Sequence, residues 1–196
     1  MRILILTLIL FLISAPYAVD LPKDASSQWR ILKTTIEDAS SSIKGKSHLN
    51  STLRLFANTG TANLLYNITH TINSSWGIAA SDKPAFINGS SLPMDNKYND
   101  YLKPVPDLVS ALVALGSTWH LELNYPVYWG IEELARQVQG YGSALTRAGI
   151  ISENATIRTI KMGSELVRAE KAWSKPGNLP GRLVPLRPFR NLRPPS

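Results

Sequence analysis

Stretches in which apolar residues recur every three or four positions alternate along this chain with stretches in which they do not, and that contrast predicts helices joined by polar connections. From Asp24 to Gly45, Trp29, Leu32, Ile36, Ala39 and Ile43 fall on one helical stripe. Leu53 and Phe56 open a second helical stretch, broken near Gly60 and resumed through Leu64, Leu65, Ile68, Ile72 and Trp76. Its polar face is rich in Asn, Ser and Thr, which lowers helix propensity, so packing has to hold it. Between Ser81 and Lys103 the periodicity vanishes, and Pro84, Gly89 and Pro93 predict a long connection. Asp107, after Pro104 and Pro106, is a cap for a helix carrying Leu108, Leu112, Leu115 and Trp119 on one face. Beyond Asn124-Tyr125-Pro126, the clearest helix places Val127, Ile131, Leu134, Val138, Tyr141 and Leu145 on one stripe, with Gly149 as its stop. Ser152 caps a last helix, with Glu153 near its positive end and Ile157, Ile160, Leu166, Val167 and Trp173 as apolar positions. About five helices, short proline-bearing turns and little strand-like alternation predict an all-α, antiparallel bundle over residues 19–174.

The N-terminus changes the setting of that bundle. Met1 and Arg2 precede the apolar run Ile3–Ile13, and the small residues Ala15 and Ala18 follow, the pattern of a signal peptide over residues 1–18. A membrane span needs about 20 apolar residues, and this run breaks at Ser14, Pro16 and Asp20. The expected location is therefore extracellular. An exported domain commonly leans on disulfides, but this chain of 196 residues has no cysteine, so its stability must come from packing. The absence also rules out thiol catalysis.

Net charge at first suggests an anionic polymer as partner. Of the formal +7, however, Arg2 and the five cations Lys175, Arg182, Arg187, Arg190 and Arg193 account for six, leaving +1 on Val19–Ser174. A nucleic-acid face would need clustered cations with interleaved aromatics on the folded part, so no nucleic acid is expected. Residues 175–196 contain six prolines and no acid, which predicts a solvated basic tail. Such a tail either holds an anionic polysaccharide or phospholipid surface or merely keeps the protein soluble.

Catalytic constellations are missing. His48, His70 and His120 are scattered, with no H-E-x-x-H pair, and Gly140-Tyr141-Gly142-Ser143-Ala144 lies inside a helical stripe where a nucleophile elbow needs a strand-to-helix turn. Gly140 and Gly142 instead allow close helix approach. Glu132 and Glu133 point about 100° apart on a helix and cannot face one substrate. Asp95, Asp100 and Asp107 lack the spacing of a calcium loop. No enzyme activity, metal or cofactor is expected. Five N-x-S/T sequons, at Asn50, Asn67, Asn73, Asn88 and Asn154, are candidate glycosylation sites, those at Asn67 and Asn73 only if that face of the second helix is exposed.

What remains is apolar. Leu108, Leu112, Leu115 and Trp119, set against Val127, Ile131, Leu134, Val138, Tyr141 and Leu145, either enclose an elongated site for an acyl chain or form packed core. The run Asp107–Trp119 (D-L-V-S-A-L-V-A-L-G-S-T-W), a spacer, and Ile131–Leu145 (I-E-E-L-A-R-Q-V-Q-G-Y-G-S-A-L), in an exported cysteine-free helical chain, resemble the fungal hydrophobic surface-binding protein A family, the cell-wall galactomannoproteins. The resemblance covers residues 25–174. It implies a secreted helical bundle that coats hydrophobic surfaces, sits in the cell wall or carries fatty acids, with the apolar faces of residues 107–121 and 126–148 lining the ligand space. The function expected is thus non-enzymatic binding of hydrophobic surfaces or lipids. The alternative is a structural or effector-like interaction protein acting through its basic tail, with cell-wall polysaccharide as its partner.

Overall fold

Each long apolar stripe becomes one long helix. The computed structural model describes residues 21–48, 60–118, 120 and 122–174. The five long helices are α1 (Ala25–His48), α2 (Thr61–Ser81), α5 (Val105–Gly116), α6 (Asn124–Arg147) and α7 (Glu153–Trp173); two short ones, α3 (Lys83–Ile87) and α4 (Asp95–Leu102), lie between α2 and α5. No strand occurs among the described residues, and the fold is an all-α bundle. No helix among them is long and apolar enough to cross a membrane. The leader expected at 1–18, the tail at 175–196, Asn50, Leu53, Phe56 and Trp119 lie outside the described residues.

Packing partners close the five long helices into a ring: α1 packs on α2, α2 on α6, α6 on α7, α7 on α5, and α5 back on α1. Trp29, Leu32, Ile36, Ala39 and Ile43 of α1 all point inward and are buried, as their spacing predicts. The turn from α6 to α7 is set by Gly149 at φ +68°, where Gly149 N donates to Thr146 O at 2.8 Å and Ile150 N to Leu145 O at 2.9 Å. These two bonds satisfy the last carbonyls of α6 and reverse the chain within a few residues.

At the start of α2, Gly60 offers no capping side chain. Glu122, from the α5–α6 link, supplies the cap in its place. Its carboxylate accepts from Thr61 N at 2.7 Å, from Thr61 Oγ1 at 2.8 Å and from Lys46 Nζ at 2.9 Å. One carboxylate thereby offsets orphan amide donors at the positive end of α2 and ties it to the last turn of α1.

Four sequence expectations change. The connection predicted between Ser81 and Lys103 holds α3 and α4, because Tyr98, Tyr101 and Leu102 form a buried helical face among Asn, Asp and Lys residues. Helix α5 begins at Val105, so Asp107 lies in its first turn and does not cap it. Ser152 is the N-cap of α7, but its hydroxyl donates to Asp95 Oδ2 at 2.5 Å instead of capping its own helix. On α7, Ile157, Ile160 and Val167 face solvent; Ala155, Thr159, Gly163, Leu166, Ala169 and Trp173 supply the buried face. Small residues win there because α6 approaches closely.

That approach is visible at Gly142, where an added Cβ would sit 2.8 Å from both Thr159 Cγ2 and the Tyr98 hydroxyl. Gly140 lies against the ring of Trp76, where a Cβ would meet Cζ3 at 3.1 Å. Gly45, by contrast, has open space around it on α1. Gly142→Ala is expected to cost about 1–3 kcal/mol through overpacking. Gly45→Ala should instead stabilise by up to about 1 kcal/mol, since alanine favours helix and nothing is displaced. Urea midpoints of the two variants against the parent check the pair, and equal shifts would refute the packing account.

Candidate functional site

The apolar stripes that nominated themselves as ligand-binding faces are core. Leu108, Leu112 and Leu115 of α5, and Val127, Ile131, Leu134, Val138, Tyr141 and Leu145 of α6, are each at most 2% exposed and belong to one buried cluster. Their helices are not packing partners: α5 sits on α1 and α7, and α6 on α2 and α7. The two stripes therefore look into the same interior from separate sides of the ring and do not face each other as two walls of a slot.

That interior holds aromatic rings and a directed chain of hydrogen bonds. Trp29 meets Phe86 and Tyr98 edge-on at centroid distances of 5.9 and 5.5 Å, and Tyr98 meets Tyr101 edge-on at 5.1 Å. Trp29 Nε1 donates to the Tyr141 hydroxyl at 2.9 Å, which lies 2.7 Å from Ser75 Oγ; Ser75 Oγ in turn donates to Gln28 Oε1 at 2.5 Å. Since the single Ser75 proton goes to Gln28, Tyr141 must donate to Ser75. Gln28 Nε2 ends the chain on the carbonyls of Pro22 at 2.7 Å and Lys23 at 3.1 Å. A second, shorter chain runs from the Tyr98 hydroxyl to Thr159 Oγ1 at 2.8 Å and on to Ala155 O at 3.0 Å. Periodicity could not reveal these partners, because Gln28, Ser75 and Thr159 are polar letters that a stripe reading assigns to the surface.

Burial controls the titration of this cluster. It pushes the Tyr98 hydroxyl from 10.0 up to about 12, against a smaller opposing effect of its bond to Thr159. Burial likewise raises Tyr141, and it raises Tyr101 well above the ordinary phenol value. Three neutral phenols inside the ring offer neither an acid nor a base near neutral pH.

Accessible apolar surface lies at one end of the bundle instead. Leu123 is 76% and Tyr125 73% exposed, beside an open groove of about 690 Å³ that Pro126, Tyr128, Trp173 and Ser174 also line. The groove walls come from the start of α6 and the end of α7, joined by a bond from the Tyr128 hydroxyl to Glu170 Oε1 at 2.9 Å. That bond raises the Tyr128 pKa by stabilising its protonated form beside a carboxylate. A second groove of about 510 Å³ runs between α2 and α6, with Tyr66 and Trp129 exposed on its walls. A third, more polar depression of about 620 Å³ lies over Ser90–Lys97. None of the nine buried stripe residues lines any of these three.

Trp173 shows how the first groove is floored. Its indole fits against Gly116, where a Cβ would come within 2.6 Å of Nε1, and Nε1 donates to Leu112 O at 2.9 Å. His120 stacks on it at 4.3 Å between centroids. The floor is thus closely packed, while Leu123 and Tyr125 are exposed at the rim. Of the sequons, Asn67, Asn73, Asn88 and Asn154 are all exposed, and Asn88 adopts the left-handed backbone conformation at φ 47° that asparagine tolerates better than most residues.

Comparison with protein-family models, with curated proteins and with solved structures found no match.

Two outcomes are expected from the core. Tyr141→Phe leaves the buried Trp29 N–H without an acceptor and should cost about 1–3 kcal/mol in chemical denaturation. The raised Tyr98 pKa stabilises the fold fully below pH 10.0, and that contribution declines as pH rises toward about 12, because the unfolded chain ionises its phenol first. Thermal midpoints measured on either side of pH 10 check the sign; a midpoint that climbs with alkalinity would contradict it.

Proposed function

We propose that this chain is an exported, non-enzymatic helical bundle that binds hydrophobic surfaces or lipids, and that it binds them through the groove at the start of α6 and the end of α7. The observation that carries this reading is the pair Leu123 and Tyr125, about three-quarters exposed beside a groove whose floor is Trp173. Two large apolar side chains standing together at a helix start leave a patch open to water, and such patches mark contact surfaces. Tyrosine and tryptophan suit an interface between water and an apolar phase, since each presents a ring and one polar atom. Burying the leucine alone contributes about 1.5–3 kcal/mol.

The core stripes do a different job in this reading. An acyl chain entering the interior would have to displace core aromatic side chains such as Trp29, Tyr98 or Tyr141, whose hydroxyl and indole groups are already paired. A chain docking at the groove displaces only water. The export reading is supported by the N-terminal pattern of charge and apolar run, and by the exposure of the four described sequon asparagines. The resemblance to the hydrophobic surface-binding protein A family points to the same class of ligand.

A second reading assigns binding to the basic segment 175–196 and an anionic partner such as a wall polysaccharide. One observation favours it: Arg158, Lys161 and Lys171 on α7, the helix that leads into that segment, are exposed and form no ion pair among the described residues.

Partition onto phosphatidylcholine vesicles and polystyrene beads tests the first reading, and retention on an anionic polysaccharide resin tests the second. Leu123→Ser with Tyr125→Ser should weaken partition by about tenfold or more, the loss expected for two partly buried apolar side chains, with helicity and thermal midpoint unchanged. Deletion of residues 175–196 should leave partition intact. Retention on the resin that is lost on deletion, with partition unchanged by the double variant, supports the second reading and sinks the first.

A further inference from the structure

The groove between α2 and α6 is lined by the asparagine of a glycosylation sequon. Asn63, Tyr66, His70 and Asn73 of α2 recur at steps of three and four, so they share one outward face, and all four line this groove. Opposite them stand Trp129 and Glu133 of α6. Tyr66 and Trp129 are 59% and 54% exposed, and Tyr66 packs on His70 with ring centroids 5.9 Å apart. Asn73 begins the sequon Asn73-Ser74-Ser75 and is itself exposed. We propose that the N-glycan on Asn73 lies down in this groove, its first two sugar rings running from His70 and Glu133 to Tyr66 and Trp129, and so covers an apolar surface that the bare protein leaves open.

The geometry favours that course. Gly130 of α6 touches Leu65 of α2, and Gly140 touches Trp76, so the two helices run parallel with residue 65 level with 130 and residue 76 level with 140. Asn73 is then about nine residues along the axis from the level of Trp129, roughly 13 Å at 1.5 Å per residue. A side-chain amide carrying two pyranose rings spans such a distance. The pyranose ring presents an apolar face of axial C–H bonds, which suits the electron-rich face of an indole or phenol ring. Its hydroxyl and acetamido groups would meet Asn63, His70 and Glu133. The groove volume of about 510 Å³ falls in the range of small-ligand sites, ~300–1,000 Å³. Asn67, also in a sequon on α2, is exposed but does not line the groove.

The sequon also dictates when the sugar must be attached. Ser75, whose hydroxyl the transfer reaction needs, is buried and bonded to Gln28 and Tyr141 in the folded chain. Transfer to Asn73 therefore precedes folding of α2 onto α1 and α6. This inference rests on the export reading, because N-glycan transfer takes place on exported chains.

The test is secretion of the full chain from a eukaryotic host through its own N-terminal segment, followed by glycopeptide mass spectrometry and acrylamide quenching of tryptophan fluorescence. A glycan at Asn73 is expected. Asn73→Gln, or enzymatic release of the glycans, should raise quenching of the exposed indole roughly twofold, as expected when a cover is lifted from a half-exposed ring. Trp129→Phe should abolish that difference, since among the other described tryptophans Trp29 and Trp173 are buried and Trp76 does not line the groove. An occupied Asn73 with unchanged quenching overturns the proposal. An empty Asn73 beside occupied Asn88 or Asn154 also overturns it, while leaving the export reading intact. Retention inside the cell with no sequon occupied overturns both.

Discussion

A single buried hydrogen-bond chain, from Trp29 through Tyr141 and Ser75 to Gln28, constrains everything else in this bundle. It links α1, α2 and α6 and ends on the backbone just ahead of α1. Every proton in it points the same way, so each member is satisfied only if all the others are in place. A hydrophobic core tolerates sliding; an indole that must find one phenol does not. This is how a domain without disulfides acquires a fixed register between helices that are far apart in sequence.

The same chain decides what the interior is for. Once Trp29 and Tyr141 are paired, Phe86, Tyr98 and Tyr101 can pack around them, and α4 seats against α1 and α7. The centre of the ring is occupied by the protein's own aromatic side chains. Exposed apolar surface therefore lies at the margins, where packing stops: the rim of Leu123 and Tyr125, and the channel beside Trp129. Both margins involve the first turns of α6, whose inward stripe is core and whose outward residues are unusually aromatic.

Reading the sequence located the five long helices because each carries a stripe of Leu, Ile, Val or Trp strong enough to be seen above its polar residues. It missed α4 because Tyr98 and Tyr101 sit among Asn, Asp and Lys, and a buried phenol looks the same, letter by letter, as one on the surface. It misplaced part of the α7 face for the opposite reason. Ile157 and Ile160 are apolar but exposed, while Thr159 and Gly163 are inside, because α6 comes too close there for larger side chains. The candidate site shifted accordingly: the stripe residues proved to be core, and the exposed Leu123, Tyr125 and Trp129 had no periodicity to announce them.

By itself the sequence determined the class of the fold, the number of long helices and the turn at Gly149, since these depend on local spacing and on one residue's backbone freedom. Only the tertiary structure decided which helices are neighbours. α5 and α6, adjacent in sequence and each bearing a buried stripe, pack on α7 without packing on each other, while Glu122 crosses from their link to cap α2. The physical reason is that hydrophobic burial is non-directional: a stripe states that a face is buried but not against what. The choice of partner falls to the directional groups, the hydroxyls, the indole and the carboxylate, and to the glycines that set how closely two helices approach.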